Sequence, residues 1–312
     1  MKVANAKTAT LKVLVSSMVL LAGLGQVAHA DAPAANPDTV FAGTGAEGTL
    51  TGNINVVSKY ILRGITQTYG PTYKTADAAD SSTAPESDSP ALQGGLDYVL
   101  KNGLYAGYWF STLGYSYAAL NPNSNGKHNQ HSIENDLYGG YTGTFGDSGV
   151  GYTVGGTIYI YQPGFASTGY ETKLGLNYKE VSVTAQTLLN DVTFGNKKDT
   201  YFLATWTHAL PKDFTFTGQL GAYVYGKHGT FIDSTNPNNQ FGAYQSGYFN
   251  EDGSPSLKDK AKTFAFRHAT LGITHPLPVT GATWGLQYII GGENRFGVHQ
   301  ANQIVGSLGL TF

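Results

Sequence analysis

The groups in this sequence whose types and spacing could do chemistry are charged side chains set two or four residues apart. Such separations put both members of a pair on one face of a β-strand, because successive side chains of a strand point to opposite faces. Mixed charges on one face could line an aqueous passage and set its charge preference, or they could fill the space as a network of salt bridges. The candidate residues are Lys59, Arg63, Asp97, Lys101, Glu134, Asp136, Glu171 and Lys173.

Histidine provides the other candidates for catalysis or metal binding. No histidine stands in a local pattern with serine that is typical of a serine hydrolase. The pair His128-x-x-His131 and the stretch 250–253 (NEDG) lack the full ligand sets of zinc and calcium sites. The sequence therefore predicts no catalytic residue, no metal site and no cofactor, although a lipid hydrolase remains an alternative. The histidines after residue 30 are His128, His131, His208, His228, His268, His275 and His299.

The first 30 residues predict a secretory signal peptide. Three lysines precede an apolar run from Val13 to about Leu24, and Ala28-His29-Ala30 follows it. The run is about a dozen residues long, which is shorter than the roughly 20 that a spanning helix needs. We expect export with cleavage after Ala30, and we expect residues 31–47, which are rich in Ala, Pro and Gly, to form a flexible lead-in.

The composition favours a protein whose outer surface meets lipid. Charged residues make up 13 % of the chain, and there are 21 tyrosines, 41 glycines and no cysteine; about 25 % charge is usual for soluble proteins. Aromatic side chains collect where a membrane protein crosses the two lipid–water interfaces. Without its signal lysines the chain changes from a formal charge of -2 to -5, which gives no indication of nucleic-acid binding.

Alternating apolar and polar residues predict membrane-spanning strands. Near the C-terminus Ile304, Leu308, Leu310 and Phe312 share one face, and the same period of two recurs over 150–161 and 214–225. A charge on the lipid face would cost about 2–4 kcal/mol for Arg or Lys near the midplane, so the charged candidates are expected to face inward. The predicted strands lie near 48–66, 91–101, 103–117, 130–144, 149–162, 168–178, 180–190, 199–210, 213–226, 264–275, 282–292 and 302–312.

The connections between these strands give a second indication that does not depend on hydrophobicity. Short turns alternate with longer loops, as in bacterial barrels with periplasmic turns and extracellular loops. The predicted fold is all-β, a transmembrane antiparallel β-barrel of about 12 strands over residues 48–312. The short turns are 101–103, 146–148, 179–180, 211–212 and 276–281, and the longer loops are 67–90, 118–129, 163–167, 191–198, 227–263 and 293–301.

Four stretches of the chain resemble the TorF family of porin-like proteins. They are residues 55–65 (NVVSKYILRGI), 90–98 (PALQGGLDY), 103–109 (GLYAGYW) and 134–143 (ENDLYGGYTG), in the family's order. The likeness is most specific between about residues 52 and 180. It implies an outer-membrane location and a channel role, and it supplies no catalytic residues.

Together these features predict a porin-like channel of the outer membrane, not an enzyme, for passive diffusion of small polar solutes. The expected partners are outer-membrane lipid, the solutes, and the barrel-assembly machinery, which would read the C-terminal strand ending in Phe312. Two alternatives stay open: an outer-membrane lipid hydrolase, and a plugged structural or adhesive barrel that acts through loops 67–90 and 227–263. The oligomeric state is not determined by the sequence.

Overall fold

The structure is a computed structural model that describes residues 48–65, 89–114, 117–120, 131–236, 239 and 262–312. The predicted signal peptide and lead-in, residues 1–47, lie outside the described residues. No helix in the described part of the chain has the length and hydropathy of a membrane span.

Twelve antiparallel strands form a closed barrel, in which each strand pairs with its neighbours in sequence and the first pairs with the last. The predicted fold class and strand number are confirmed. The strands are β1 (Gly48–Val57), β2 (Ala91–Leu100), β3 (Leu104–Thr112), β4 (Ile133–Thr144), β5 (Val150–Gln162), β6 (Gly169–Tyr178), β7 (Val181–Leu188), β8 (Thr200–Ala209), β9 (Thr215–Val224), β10 (Phe264–Pro276), β11 (Ala282–Gly291) and β12 (Gln303–Thr311).

The alternation seen in the sequence becomes the two faces of the barrel wall. In β9, Leu220 and Val224 are exposed on the outside, while Thr217 and Gly221 are buried on the inside. Closure pairs every strand edge, so no backbone group at an edge is left in the lipid. β1 and β12 close the barrel through five paired residues, from Asn53↔Thr311 to Val57↔Ser307.

The two ends of the barrel differ in the length of their connections. Turns of two to five residues join β2–β3, β4–β5, β6–β7, β8–β9 and β10–β11, and we call this the short-turn end. The other end carries the longer connections, and we call it the long-loop end. The predicted alternation is therefore present. At the first short turn Gly103 has φ 94°, and a Cβ there would lie 2.2 Å from the carbonyl oxygen of Thr142, so only glycine fits.

Two predicted strand ends are wrong. β1 ends at Val57 and not near residue 66, and β3 ends at Thr112 and not at 117. The Ser58 amide still donates to the Gly306 carbonyl at 2.8 Å, after which the chain leaves the wall and turns into the lumen. The apolar residues Tyr60, Ile61 and Leu62 extended the predicted strand past this point, but they pack in the core inside the barrel.

A β-bulge interrupts the pairing of β10 with β9 between Phe266 and His268. The extra residue is Arg267, and both Arg267 and His268 are buried. The sequence leaves the facing of Arg267 unassigned, because a strict period of two cannot place two consecutive residues inside the barrel.

The packed core of the molecule lies in the lumen, towards the long-loop end. Tyr60 and Ile61, from the segment after β1, join inward side chains of six strands in it. The cluster consists of Val57, Tyr60, Ile61, Ala91, Trp109, Leu113, Tyr117, Tyr159, Tyr161, Ile289 and Val305. Thr153 and Thr184, which face inward nearer the short-turn end, are smaller and only half-buried, whereas Tyr105 and Tyr138 place larger side chains on the same inner face.

Candidate functional site

Residues 58–65, which we call the inward segment, cross the lumen instead of continuing β1. A short 3-10 turn at Leu62–Gly64 reverses the chain, with Arg63 at φ 49° and Gly64 at φ 70°. A Cβ on Gly64 would lie 2.6 Å from Cβ of His268, so the segment packs directly on β10. The left-handed backbone of Arg63 is uncommon for a residue with a side chain, and here it turns the guanidinium across the lumen.

The Arg63 guanidinium reaches the opposite wall of the barrel. Its Nη1 and Nη2 donate to Oε1 and Oε2 of Glu171 at 3.0 and 2.6 Å, which is a bidentate pair. Nη1 also donates to the Tyr223 hydroxyl at 2.7 Å, and Nη2 donates to Gln186 Oε1 at 2.5 Å. The guanidinium carbon lies 4.8 Å from the centre of the Tyr201 ring. Because β7 is diametrically opposite β1 in the strand order, these contacts fasten the inward segment across the full width of the lumen.

Acidic side chains surround this guanidinium on β4 and β6. Glu134, Asp136 and Glu171, which we call the acid cluster, are 1 %, 0 % and 4 % exposed. Glu134 accepts a hydrogen bond from the Tyr161 hydroxyl at 3.1 Å, and Glu171 accepts one from the Tyr159 hydroxyl at 2.7 Å. Neither carboxylate oxygen of Asp136 has a hydrogen-bond partner among the described residues. The structure thus brings together four of the eight predicted site residues, Arg63 and the three acids.

The other four predicted residues lie apart from this group. Lys59 donates to Gln303 Oε1 on β12 at 2.8 Å, and Asp97 accepts from the Tyr138 hydroxyl at 2.5 Å. Lys173 is half-buried on the inner face of β6. Lys101 follows β2 in an exposed turn at the short-turn end, outside the strand that was expected to contain it.

Sequence reasoning missed three charged residues that are buried near the long-loop end. Arg267 Nε donates to the Arg63 carbonyl oxygen at 3.4 Å and so supports the inward segment. Arg295 and Asp199 form an ion pair in which both side chains are 3 % exposed. Asp199 and Arg295 lie in loops, where side chains do not alternate as they do in a strand, so the sequence pattern cannot predict which of them are buried. Arg267 lies in the bulge, where the alternation of inward and outward side chains is interrupted.

Three long connections pack together at the long-loop end, and we call residues 189–199, 225–236 and 292–300 the loop cap. Ile232, Phe296 and Val298 form its small apolar core. Burial keeps the pKa of Asp199 above its usual value, although the Arg295 guanidinium acts in the opposite direction. The loop cap is therefore held together by a small apolar core and a buried ion pair.

Asp191 ties two loops of the cap together. Its carboxylate accepts hydrogen bonds from the Lys197 amide and from the amide and hydroxyl of Thr230, at 2.8 to 2.9 Å. Partial burial acts to raise the pKa of Asp191, but these hydrogen bonds outweigh it and hold the pKa below its usual value.

The outer wall of the barrel is apolar, with aromatic side chains near both ends of the strands. At the short-turn end, the Tyr152 ring packs on Tyr141 and Phe145, with ring centres 6.1 and 4.6 Å apart. On the outer wall at the same end, Glu180 accepts from Trp206 Nε1 at 3.0 Å and pairs with His208 Nδ1 at 3.0 Å. Hydrogen bonds from Trp206 and His208 lower the pKa of Glu180. Aromatic belts with polar atoms at the lipid–water boundary are typical of membrane barrels.

The partners of the histidines can be followed in the described part of the chain. No serine among them is hydrogen-bonded to a histidine; the histidine partners are Glu180, Tyr201, Thr270, Asp233 and Thr235. No group of three or more His, Asp and Glu side chains in the described ranges is placed to hold a metal ion. His131 is exposed. The other parts of the two weak metal motifs, His128 and residues 250–253, lie outside the described residues.

A closed barrel with a polar interior, an apolar outer wall and aromatic belts defines a transmembrane β-barrel protein. Residues 81–245, more than half of the 312-residue chain, match the model of the Gcw_chp family, described as a bacterial protein of unknown function. The chain belongs to this family. The family description does not carry the TorF name. No curated protein matches the sequence.

Solved structures of other membrane barrels are similar in general shape. The KdgM porin is 7 % identical with a TM-score of 0.42, and the match covers 84 % of this chain and 98 % of that one. The NanC porin is 12 % identical with a TM-score of 0.40, covering 85 % and 99 %. Outer membrane phospholipase A from Escherichia coli is 13 % identical with a TM-score of 0.38, covering 84 % and 95 %. At these values the likeness carries no argument about function.

Proposed function

We propose that this protein is a channel of the bacterial outer membrane for small polar solutes, not an enzyme, and that the inward segment forms its narrowest level. The observation that carries the proposal is the position of Arg63. Eight-stranded barrels can be filled by their own side chains, whereas a barrel of twelve strands is wider. Here an arginine from a separate segment spans that extra width and leaves half-buried small residues, such as Thr153, towards the short-turn end.

The proposed passage follows the polar inner face of the barrel, and charged side chains line it at its narrowest level. Lys101 stands at the mouth of the short-turn end, which the rule for bacterial barrels assigns to the periplasm. The proposed lining residues are Lys59, Arg63, Asp97, Glu134, Asp136, Glu171 and Lys173.

The proposal includes the route to the membrane. Residues 1–30 would direct export and be removed after Ala30, residues 31–47 would lead into the barrel of 48–312, and the likeness to the TorF family is consistent with this assignment. Mass spectrometry of the N-terminus of protein purified from outer-membrane fractions tests the cleavage. An intact N-terminus would contradict it.

Single-channel conductance in planar bilayers tests the channel, with Arg63→Ala compared against Lys212→Ala in an exposed turn. We expect discrete open steps for the unaltered protein and for Lys212→Ala. Arg63→Ala should give larger or more frequent steps, because the inward segment loses its anchor on β6. Heat-modifiable gel migration confirms that each protein is folded.

A second candidate is a barrel plugged by the inward segment and acting through its long loops, which the burial of Arg63 favours. The same recordings separate the two. If the folded unaltered protein is silent and Arg63→Ala conducts, the lumen is a plug and the channel proposal is wrong. If both folded proteins are silent, the inward segment is not the barrier and the channel proposal is wrong as well.

A further inference from the structure

A carboxylate stands on the outer wall at the short-turn end, and two neighbouring side chains hold it in place. Glu180 lies in the turn between β6 and β7. Its Oε2 accepts a hydrogen bond from Trp206 Nε1 at 3.0 Å, and His208 Nδ1 lies 3.0 and 3.1 Å from its two carboxylate oxygens. The rings of Trp206 and His208 are stacked, with centres 5.7 Å apart. Since tryptophan side chains collect at the lipid–water boundary, this carboxylate stands at the level of lipid headgroups.

Glu180 keeps the capacity to accept hydrogen bonds from a further donor. Its side chain is 39 % exposed. An ionised carboxylate has about four acceptor positions, and Trp206 and His208 supply one donor group each. Their hydrogen bonds lower the pKa of Glu180, so the carboxylate is ionised at neutral pH. Neutral His208 donates from Nδ1 without cancelling this charge. A cation that a lipid itself carries therefore fits this position.

An apolar groove begins beside this carboxylate and crosses the outer wall. His208 is paired with Phe216 on β9, and the Phe216 ring packs edge-on against Trp206 with ring centres 5.4 Å apart. Phe216 also lines a groove of about 350 Å³ that extends to β12. The carboxylate and the groove are thus two parts of one surface. The large side chains that line the groove are Phe216, Leu271, Ile273, Leu286, Tyr288 and Ile304.

The strand pairing gives the direction in which this groove runs. One row of paired outward residues leads from Trp206 through Gly218, Leu271 and Tyr288 to Ile304. Trp206 stands three residues before the short-turn end of β8, whereas Ile304 is the second residue of β12, at the long-loop end. The row climbs in this way because the strands of a barrel are tilted. The groove therefore rises from the headgroup level at Glu180 into the apolar part of the membrane, as an acyl chain does.

We propose that the outer wall binds one phospholipid whose headgroup carries a primary ammonium, such as phosphatidylethanolamine, with the ammonium on Glu180 and an acyl chain in the groove. A primary ammonium donates charge-assisted hydrogen bonds to a carboxylate, whereas the trimethylammonium of phosphatidylcholine has no N–H to donate. Lys179 precedes Glu180, and its Nζ lies over the exposed Tyr178 ring at 5.1 Å, where it can approach the lipid phosphate.

The lipid would come from the periplasmic leaflet, because the rule for bacterial barrels assigns the short-turn end to the periplasm. The site is independent of transport, since it requires the folded outer wall and not an open lumen. A barrel that does not conduct would therefore leave this proposal intact.

Full-length barrel refolded in detergent tests the site. The protein is titrated with phosphatidylethanolamine or with phosphatidylcholine of identical acyl chains, and bound lipid is counted by native mass spectrometry. Glu180→Gln removes the charge, and Asp147→Asn is its control, because Asp147 is an exposed carboxylate in another short turn. Gly218→Leu fills the row between Trp206 and the groove, where a Cβ would meet only the Phe216 ring, at 3.5 Å. Ala222→Leu, on the same face of β9 but outside the groove, is its control.

We expect the unaltered protein and Asp147→Asn to bind one phosphatidylethanolamine about tenfold more tightly than phosphatidylcholine, the order expected for one charge-assisted hydrogen bond. Glu180→Gln should remove most of this preference, while both lipids still bind through the groove. Gly218→Leu should weaken the binding of both lipids, whereas Ala222→Leu should not. Heat-modifiable migration confirms that each variant is folded.

Three results would overturn the proposal. Equal binding of the two lipids by the unaltered protein would mean that the headgroup is not recognised. A preference that persists in Glu180→Gln would place the ammonium elsewhere. Unchanged binding in folded Gly218→Leu would mean that the groove holds no acyl chain.

Discussion

At the scale of single residues, Arg63 determines how the lumen is organised. One side chain links the segment after β1 to β5, β6, β7 and β9 through five hydrogen bonds. A planar guanidinium suits this position because it presents its donors in a fixed fork, whereas lysine offers a single point charge. The contact depends on the backbone of the next residue, Gly64, which must pass close to His268.

Gly64→Ala should therefore destabilise the barrel. The new Cβ would need a left-handed backbone at φ 70° and would collide with His268. The expected loss is about 1–3 kcal/mol, which is the range for a strained residue of this kind. The measurement is the urea midpoint of unfolding from lipid vesicles. Gly306→Ala is the control, because a Cβ there meets nothing within 4 Å; equal midpoints for the two variants would contradict the role of Gly64.

At the scale of elements, the strands follow from alternation, but the connections at the long-loop end do not. The loop cap is held by polar contacts between loops that are far apart in sequence, such as Asp191 with Thr230. Loops of this kind have no periodic pattern, and their contacts depend on where the barrel places their ends.

The contact made by Asp191 should depend on pH in a defined direction. Its pKa in the folded protein is lowered, so its contribution to stability is present above the unfolded value of about 3.9 and is lost as pH falls through the folded value. We expect exchange protection of the Lys197 and Thr230 amides to be constant from pH 6 to about pH 4 and to fall below that. Asp191→Asn should lack this pH-dependent loss; the same loss in the variant would assign it to another group.

The two faces of β9 allow a direct test of the barrel wall. Leu220 is 58 % exposed on the outer face, and Gln219 beside it faces the lumen. Leu220→Arg places a charge in lipid near the middle of the strand and should cost about 2–4 kcal/mol in unfolding free energy. Gln219→Arg should cost clearly less, because its charge can reach water in the lumen. Equal costs in lipid vesicles would mean that the assigned faces are wrong.

At the scale of the whole molecule, closure between β1 and β12 makes the sheet a barrel. Phe312 takes part through its backbone, since its amide donates to the Gly52 carbonyl at 2.9 Å and its own carbonyl accepts from the Gly52 amide at 2.7 Å. The Phe312 ring covers Gly52, where a Cβ would lie 2.5 Å from the ring. The Phe312 ring therefore covers the junction of β1 and β12 on the outer surface of the barrel.

We expect Phe312→Ala to reduce the amount of folded barrel in outer-membrane fractions of cells, while the purified variant still refolds in detergent. The reason is the proposed recognition of the terminal strand by the barrel-assembly machinery. Phe145→Ala is the control, since Phe145 is another exposed aromatic residue at the short-turn end. Heat-modifiable migration measures both. Equal reduction in the two variants would indicate a general loss of the aromatic belt.

The sequence by itself determined the barrel, its twelve strands, the alternation of short and long connections and the inward facing of Glu134, Asp136 and Glu171. Each of these follows from local rules, because the side-chain period of a strand and the chemistry of a turn act over a few residues. Only the tertiary structure decided that β1 stops at Val57, that Arg63 crosses to Glu171, that Arg267 occupies a bulge and that three loops form a cap. Those contacts join residues as many as 204 positions apart, as for Arg267 and Arg63, and their energy depends on a space that exists only once the barrel has closed.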